Sequence, residues 1–408
     1  MLFPNRCNRR RLLAFSLACW AFSSQAQPHL SADEAVALAL AQPHVRQDLE
    51  AGVAIARSDV LAARTWSNPE LELGRESVST GPSGGSRETT AMLSQTFELG
   101  GRRGLRLAAA EAGVDASLAG VDYERVRVRA DVLRAYSAVV AGERRQQTFT
   151  RTAAGLDRLA SVANKRQQAG DLSGYERRRI AQASAQARAQ ATQSGAESRS
   201  ARARLAGWVG ASALSAELDA TPPLPAIPAL HGEVHSAELA ALKSHATHAQ
   251  ALARAEARAA LPLTLGLGTT RVEEAGSVDN RVVVELGLPL PLFDRNQAAR
   301  ARSNAEADRA DARYQRALLH ASSAQAAALE EARQLSASAR QLFDEAVPEA
   351  TRLTAIAEAS FGEGELDLLG LLDAYEAEAE VIDQALDQQA RALEALLELH
   401  ISPTEPSL

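Results

Sequence analysis

In four stretches of the chain, apolar residues alternate with polar or small ones, the period-two signature of strands with one apolar face. Leu71 and Leu73 alternate with Glu70, Glu72 and Gly74, and Leu93 and Phe97 with Ser94 and Thr96. Leu261, Leu263, Leu265 and Leu267 alternate with Pro262, Thr264, Gly266 and Gly268. Val282, Val284, Leu286, Leu288 and Leu290 alternate with Arg281, Glu285 and Gly287. The pattern predicts strands over 68–80, 88–99, 260–273 and 280–292, paired into two hairpins by the turn-rich stretches Thr80 to Arg87 and Glu274 to Asn280. A strand of about ten residues is what a tilted strand needs to cross a bilayer. Elsewhere the period becomes helical. Helices are predicted over 102–165, 175–207, 296–360 and 366–400. The first has a heptad row, Val114, Val121, Val128 and Ala135, and a second row, Leu118, Val132 and Val139, broken by Arg125. The last has Leu372, Ala379, Leu386 and Leu393 in one row, and Pro348 is expected to kink the third. At ~1.5 Å per residue the first helix is roughly 95 Å long. Such a helix has no small core to wrap, and suits a tube, a bundle or a lever.

The same order occurs twice: short helix, strand, turn, strand, long helix, tight turn, long helix. Pro69 and Pro262 stand 193 residues apart, as do Arg102 and Arg295, and Gly170 and Gly364 stand 194 apart. These offsets indicate an internal duplication. The first repeat is assigned to 27–220, the second to 229–400, with a Pro-rich joint at 221–228 and a tail at 401–408.

Residues 1–26 read as a secretory signal peptide: Arg6, Arg9, Arg10 and Arg11, an apolar run from Leu12 to Phe22, and small residues before Gln27. The apolar run is too short for a helical span, which takes about 20 residues. Cys19 raises the alternative of a lipidated N-terminus, although Ser16 stands where such a site wants Leu. Removing the leader takes both cysteines, Cys7 and Cys19, and four arginines, so the formal charge moves from −7 to −11. The exported chain then has no disulfide and no thiolate ligand to use. Of all 408 residues, 46% are hydrophobic yet only 4% aromatic, which argues for closely packed helices and against an aromatic-rich sandwich. The negative balance excludes bulk attraction to nucleic acid.

An ordinary soluble core is the competing explanation for the hairpins, but the flanking sequence is helical and offers no second sheet. A lipid-facing sheet must close into a barrel, and known barrels start at about eight strands. Four strands per chain are too few, so copies must pool theirs; three copies would supply twelve.

The whole exported chain, about 30–400, resembles the TolC-like outer-membrane efflux proteins. The resemblance rests on the duplicated order, on Asn68-Pro69 opening the first strand, and on two helix-hairpin turns, Ala169-Gly170-Asp171-Leu172-Ser173 and Gly362 to Leu369. The segments Leu93 to Arg103 and Leu288 to Gln297 are similar to its cobalt–zinc–cadmium branch, the outer-membrane component of heavy-metal RND efflux systems. It implies a mainly α fold with a small β part. Long coiled-coil hairpins would build an α-barrel in the periplasm, and four strands per chain a 12-stranded trimeric β-barrel in the outer membrane. It further implies a homotrimer, outer-membrane lipid around it, a periplasmic adaptor (membrane-fusion) protein and an inner-membrane RND pump as partners, no cofactor, and passive export rather than catalysis.

On that footing Gly170, Asp171, Leu172, Ser173, Gly362, Gly364 and Leu366 are candidates for adaptor-contacting tip turns. Glu363, Glu365 and Asp367 are candidates for an acidic entrance ring, which would select cations by sign. Trp66, Phe97 and Phe293, at the hairpin ends remote from the turns, are candidates for a membrane-interface belt. His231 with His235, and His245 with His248, have helical spacing but no convincing carboxylate or thiolate partners, so they are weak metal candidates. No phosphate loop, His-Glu-x-x-His or Gly-x-Ser-x-Gly occurs. Multidrug efflux, type I secretion and a non-channel periplasmic scaffold remain the alternatives to metal export.

Overall fold

The computed structural model describes residues 29–79, 85–219, 224–227, 236–258, 261–274 and 276–401. The expected leader, most of the Pro-rich joint, His231, His235 and nearly all of the tail lie outside the described residues. The order is β1 (His29–Leu30), α1 (Ala32–Ala41), α2 (Pro43–Arg64), β2 (Glu70–Ser79), β3 (Gly85–Leu99), α3 (Arg102–Ala169), α4 (Gly174–Val209), β4 (Glu217–Leu218), α5 (Ala237–Ala257), β5 (Leu261–Glu274), β6 (Ser277–Gly287), α6 (Gln297–Gln341), α7 (Val347–Glu363) and α8 (Leu368–Ile401). The chain is mostly helical, with the sheet at one end of the long helices. No helix among the described residues is long and apolar enough to cross a membrane.

The four long strands form one antiparallel sheet in the order β2-β3-β5-β6. Its central pairing, β3 with β5, joins the two halves of the chain through fourteen consecutive residue pairs, from Ser86↔Glu274 to Leu99↔Leu261. β2 and β6 are edge strands. The alternation stops earlier than predicted on β6, which ends at Gly287 rather than 292. Pro289 and Pro291 have no N–H to give a ladder, so the pairing cannot continue through them. β3 begins at Gly85, three residues before the expected start.

α3 runs for 68 residues without proline, about 100 Å. It ends at Gly170, whose φ of +89° is a left-handed conformation that a side chain would strain. There the Asp171 N–H reaches the Arg166 carbonyl at 2.9 Å and the Gly170 N–H reaches Gln167 at 3.1 Å, a Schellman closure. Gly364 (φ +83°) closes α7 the same way, with Glu365 bonded to Ser360 and Gly364 to Phe361. The chain from Gln297 to Glu363 stays helical, but Leu342–Ala346 is a π turn. It lies just before Pro348, whose ring would clash with the Asp344 carbonyl of a regular α turn; a widened turn relieves that clash.

The apolar core is strung along the helices. One cluster joins Val128, Val132, Tyr136 and Val139 of α3 to Leu205 and Val209 of α4 and to α1. A second, near the turns, joins Leu156, Leu159, Ile180, Leu368, Leu372 and Tyr375. The row Leu372, Ala379, Leu386 and Leu393 is buried throughout. The heptad rows of α3 hold only in its lower half. Val128, Val132 and Val139 are buried, but Val114 and Val121 are half-buried and Leu118 is exposed. There the buried positions are Ala109 and Ala116, because α5 lies close and admits only small residues.

Where the chain start meets the end of the first half, β1 and β4 pair in parallel. The fully buried Tyr136 holds them. Its hydroxyl donates to the Leu30 carbonyl and accepts from the Asp219 N–H, each at 2.8 Å. Burial pushes the phenol up to about 12, so this bridge persists at high pH. Tyr136→Phe removes one partner from each of two backbone groups. It should destabilise the protein by about 1–3 kcal/mol, read as a lower midpoint in thermal unfolding of the detergent-solubilised protein.

Candidate functional site

The register sorts the sheet into two chemically distinct faces. One carries transverse rows Leu71–Leu93–Leu267–Val284 and Gln95–Leu265–Leu286, with Phe97–Leu263 and Leu99–Leu261 towards the helices. Most of these apolar side chains are exposed; Leu73 and Val284 are each about three-quarters accessible, at 74% and 76%. Among the described residues no helix covers them. The opposite face carries Glu70, Glu72, Glu76, Glu88, Glu98 and Glu285, together with Thr90, Thr96, Thr264 and Thr270. Thr90 and Thr270 bond across the strands at 3.1 Å, and Thr96 and Thr264 at 2.9 Å. On this face Gly268 is needed for space. A Cβ there would lie 2.6 Å from the Ala91 carbonyl oxygen and 3.0 Å from Met92.

The sheet meets the helices at an ionic hub that the sequence reading missed. Glu256, at the end of α5, accepts from Arg102 at 2.6 Å and from the Asn296 side chain at 2.7 Å. The Asn296 bond, then Arg102, holds this carboxyl below its usual range, against the opposing effect of burial. Asn296 precedes α6 at φ +63°, and Gly101 precedes α3 at +75°. Both residue types tolerate the left-handed region, so Gly101 and Asn296, at like places before the two outgoing helices, were the available signal. Beside the hub, Arg106 pairs with Glu98 at 2.8 Å.

Two of the three predicted aromatics come together near this end. Trp66 and Phe97 meet edge-to-face with centroids 6.0 Å apart, and the Arg103 guanidinium lies 4.2 Å from the Trp66 ring. Phe293 belongs to the other hairpin and is 92% exposed.

At the far end the tip turns are built by capping. Ser173 caps α4: its hydroxyl accepts from the Glu176 N–H at 3.2 Å, and Glu176 returns a bond to the Ser173 N–H at 3.0 Å. Ser-x-x-Glu is a capping box that was readable in the sequence. Asp367 does the equivalent work for α8, accepting from the Gly370 N–H at 2.7 Å. So, of the three acids expected at the entrance, Asp367 is engaged in a cap, while Glu363 and Glu365 are exposed on the turn. Asp171, Gly170, Gly362 and Gly364 are likewise exposed. Leu172 and Leu366 are half-buried and pack on the tip cluster, so only part of each faces outward. The neighbouring Tyr175, not anticipated, is 73% exposed.

The histidines divide. His248 lies 2.9 Å from the Ala109 carbonyl and fills the space over Gly113, where a Cβ would touch its ring at 2.9 Å. It is a packing residue between α5 and α3, and His245 is exposed. Among the described residues no cluster of three or more metal-ligating side chains occurs.

The result is a four-stranded sheet with two open edges, apolar on one face and acidic on the other, attached to a helix about 100 Å long. The chain is 34% identical over 330 residues to the cobalt-zinc-cadmium resistance protein CzcC of Cupriavidus metallidurans, covering 77% of this chain and 76% of that protein. It is 30% identical over 257 residues to the nickel-cobalt-cadmium resistance protein NccC of Alcaligenes xylosoxydans, covering 60% and 57%. The fold superposes on the outer-membrane channel OprN with a TM-score of 0.70 at 19% identity, over 91% of this chain and 89% of that one. No protein-family model matches. The chain belongs to the TolC-like outer-membrane efflux protein family, in the heavy-metal-resistance branch that includes CzcC. It is an outer-membrane protein whose helical part stands in the periplasm.

The hub has a pH signature. A carboxyl held below its ordinary value of 4.5 adds stability that is fully present above that value and is lost as pH falls through the lower, folded one. Glu256→Gln should therefore lower the melting midpoint at pH 7 and flatten its decline between about pH 5 and 3. Parallel slopes in variant and wild type would contradict this.

Proposed function

We propose that three copies of the chain close a 12-stranded barrel through their β2 and β6 edges, and that this trimer is the passive outer-membrane duct of a tripartite heavy-metal efflux system. The observation that carries the reading is the sheet itself: unpaired at both edges, apolar on one face and acidic on the other. In hydrocarbon every backbone group must be paired, so β6 of one copy takes β2 of the next. The two halves derive from one duplicated unit, which the matched tip closures at Gly170 and Gly364 support. The chain supplies a path and no chemistry.

The cargo follows from charge. On the inner face, Glu70, Glu72, Glu76, Glu88 and Glu285 face the lumen against Arg281. Repeated threefold, they make rings that favour cations. Glu363 and Glu365 extend the same sign to the periplasmic mouth, which agrees with the metals named for CzcC and NccC. No tight site is needed, because a duct must release what it admits. An inner-membrane RND pump delivers the cargo. A periplasmic adaptor grips the tip turns Gly170–Ser173 and Gly362–Leu366, where Leu172, Leu366 and Tyr175 offer the apolar contact. Trp66 and Phe97 anchor the periplasmic rim of the barrel, and Phe293 joins the belt from the second hairpin.

Deleting the gene should sensitise cells to zinc, cobalt, cadmium or nickel without changing drug tolerance. Sensitivity to drugs alone would favour the multidrug alternative. The purified processed protein should run as a heat-resistant trimer and conduct in planar bilayers; a soluble monomer would return the scaffold reading. In single-channel recordings, Glu363→Gln/Glu365→Gln should reduce the cation-to-anion permeability ratio. An unchanged ratio removes the entrance ring and leaves the lumen glutamates to account for selectivity.

A further inference from the structure

The apolar outer face stops abruptly towards the hairpin turns, and what replaces it is basic. Above the row Leu73–Ala91–Thr269–Val282 comes Arg75–Thr89–Arg271–Asn280, then Ser77–Arg87–Glu273–Val278. Three arginines thus share the outward face, just past the last apolar row. The side chains of Arg87 and Arg271 are 52% and 56% exposed, and Arg75 is exposed as well. One acid, Glu273, serves two of them, at 3.7 Å from Arg87 and 2.9 Å from Arg271. Arg75 has no ion-pair partner among the described residues. Two positive charges per chain are left uncompensated. The other charged residues at this level, Glu76, Glu88, Glu274, Asp279 and Arg281, point to the opposite face by strand parity.

The height of this border matters. From Leu99 to Ala91 in β3 is eight residues, about 27 Å along the strand. At the 35–45° tilt of outer-membrane barrels that is roughly 19–22 Å, close to the apolar thickness such barrels present. The helices leave from the other end of the sheet, so the arginines lie at the outer-leaflet boundary. Guanidinium binds phosphate through paired hydrogen bonds, and its stem lies comfortably along apolar surface.

We infer that Arg75, Arg87 and Arg271 form an outward-facing girdle that binds the phosphate groups of outer-leaflet lipid. The inference rests on the barrel reading above. It assigns these residues a lipid partner, distinct from the cargo path on the inner face. Glu273 pairs with Arg87 and Arg271 and lowers the net charge they present.

The test reconstitutes the full processed protein in phosphatidylcholine vesicles containing diphosphoryl lipid A, extracts it in mild detergent, and counts co-purifying lipid A by mass spectrometry. Wild type should retain about tenfold more than Arg75→Gln/Arg87→Gln/Arg271→Gln, and about tenfold more than it retains of dephosphorylated lipid A. Arg281→Gln, on the inner face, should match wild type, and Glu273→Gln should retain more. Equal retention by wild type and the triple variant, or no preference for the phosphorylated lipid, overturns the girdle. Should the triple variant fail to insert, Glu273→Gln decides alone: retention at or below wild type overturns the inference. Conductance in planar bilayers separates the two readings. Conducting protein with indifferent lipid retention sinks only the girdle, whereas wild type that neither inserts nor conducts sinks the barrel with it.

Discussion

A strand edge cannot rest in hydrocarbon with its peptide groups unpaired, and this sheet has two such edges. The constraint reaches through the whole chain. It is the ground for the proposed trimer, in which each open edge finds a partner. It explains why leucines and valines stand exposed on one side of β2, β3, β5 and β6 with no helix over them. It also fixes where the helices go, since α3 follows directly from β3, and α6 follows β6 after a bent connection over 288–296. In the proposed trimer, a cylinder of strands would thereby hand its circumference to a cylinder of helices. Gly101 and Asn296, both left-handed, are the points where the chain changes from one lattice to the other.

In the helical part, magnitudes separate what stabilises from what aligns. Arg134 with Glu394, Arg145 with Asp383 and Asp387, and Arg179 with Asp373 tie the α3–α4 hairpin to α8. Most of these side chains are a third or more exposed, and such pairs contribute on the order of 0–1 kcal/mol each. A fully buried Leu156, Leu372 or Leu396 contributes about 1.5–3 kcal/mol. The leucine clusters therefore carry the stability, and the ion pairs set the sliding register between rods whose alanine-rich surfaces would otherwise permit several. Where the rods come nearest, size alone decides. A Cβ on Gly155 would sit 2.6 Å from the Tyr375 ring, so α3 and α8 depend on the missing methyl there.

Much of this was legible beforehand, because strands facing lipid on one side alternate strictly and long helices repeat by sevens. The four strands, the long helices and both tip glycines were visible in those periods. What escaped is what periods do not encode. Glu256 gave no hint that Arg102 and Asn296, 154 and 40 residues away, would converge on it. Leu118 fits a heptad row yet lies on the surface of the protomer, because Ala109 and Ala116 face α5 instead. Asp367 looked like one more acid in a run, and only the backbone shows its carboxylate spent on the Gly370 amide. Prolines 289 and 291 kept the leucine alternation going past the point where the ladder could follow.

The π turn at Leu342–Ala346 has a bearing on how such a rod diverges over time. Lodging one surplus residue in a single turn rotates everything beyond it by about 100° relative to an unbroken helix. The segments on either side are thereby phased independently. Val347, Thr354 and Ala357 turn inward on a schedule of their own, unconnected with that of Ala307, Leu329 and Ala339. The periplasmic end can accept new neighbours by substitution within α7, while the membrane-proximal stretch keeps the spacing that the sheet above it demands.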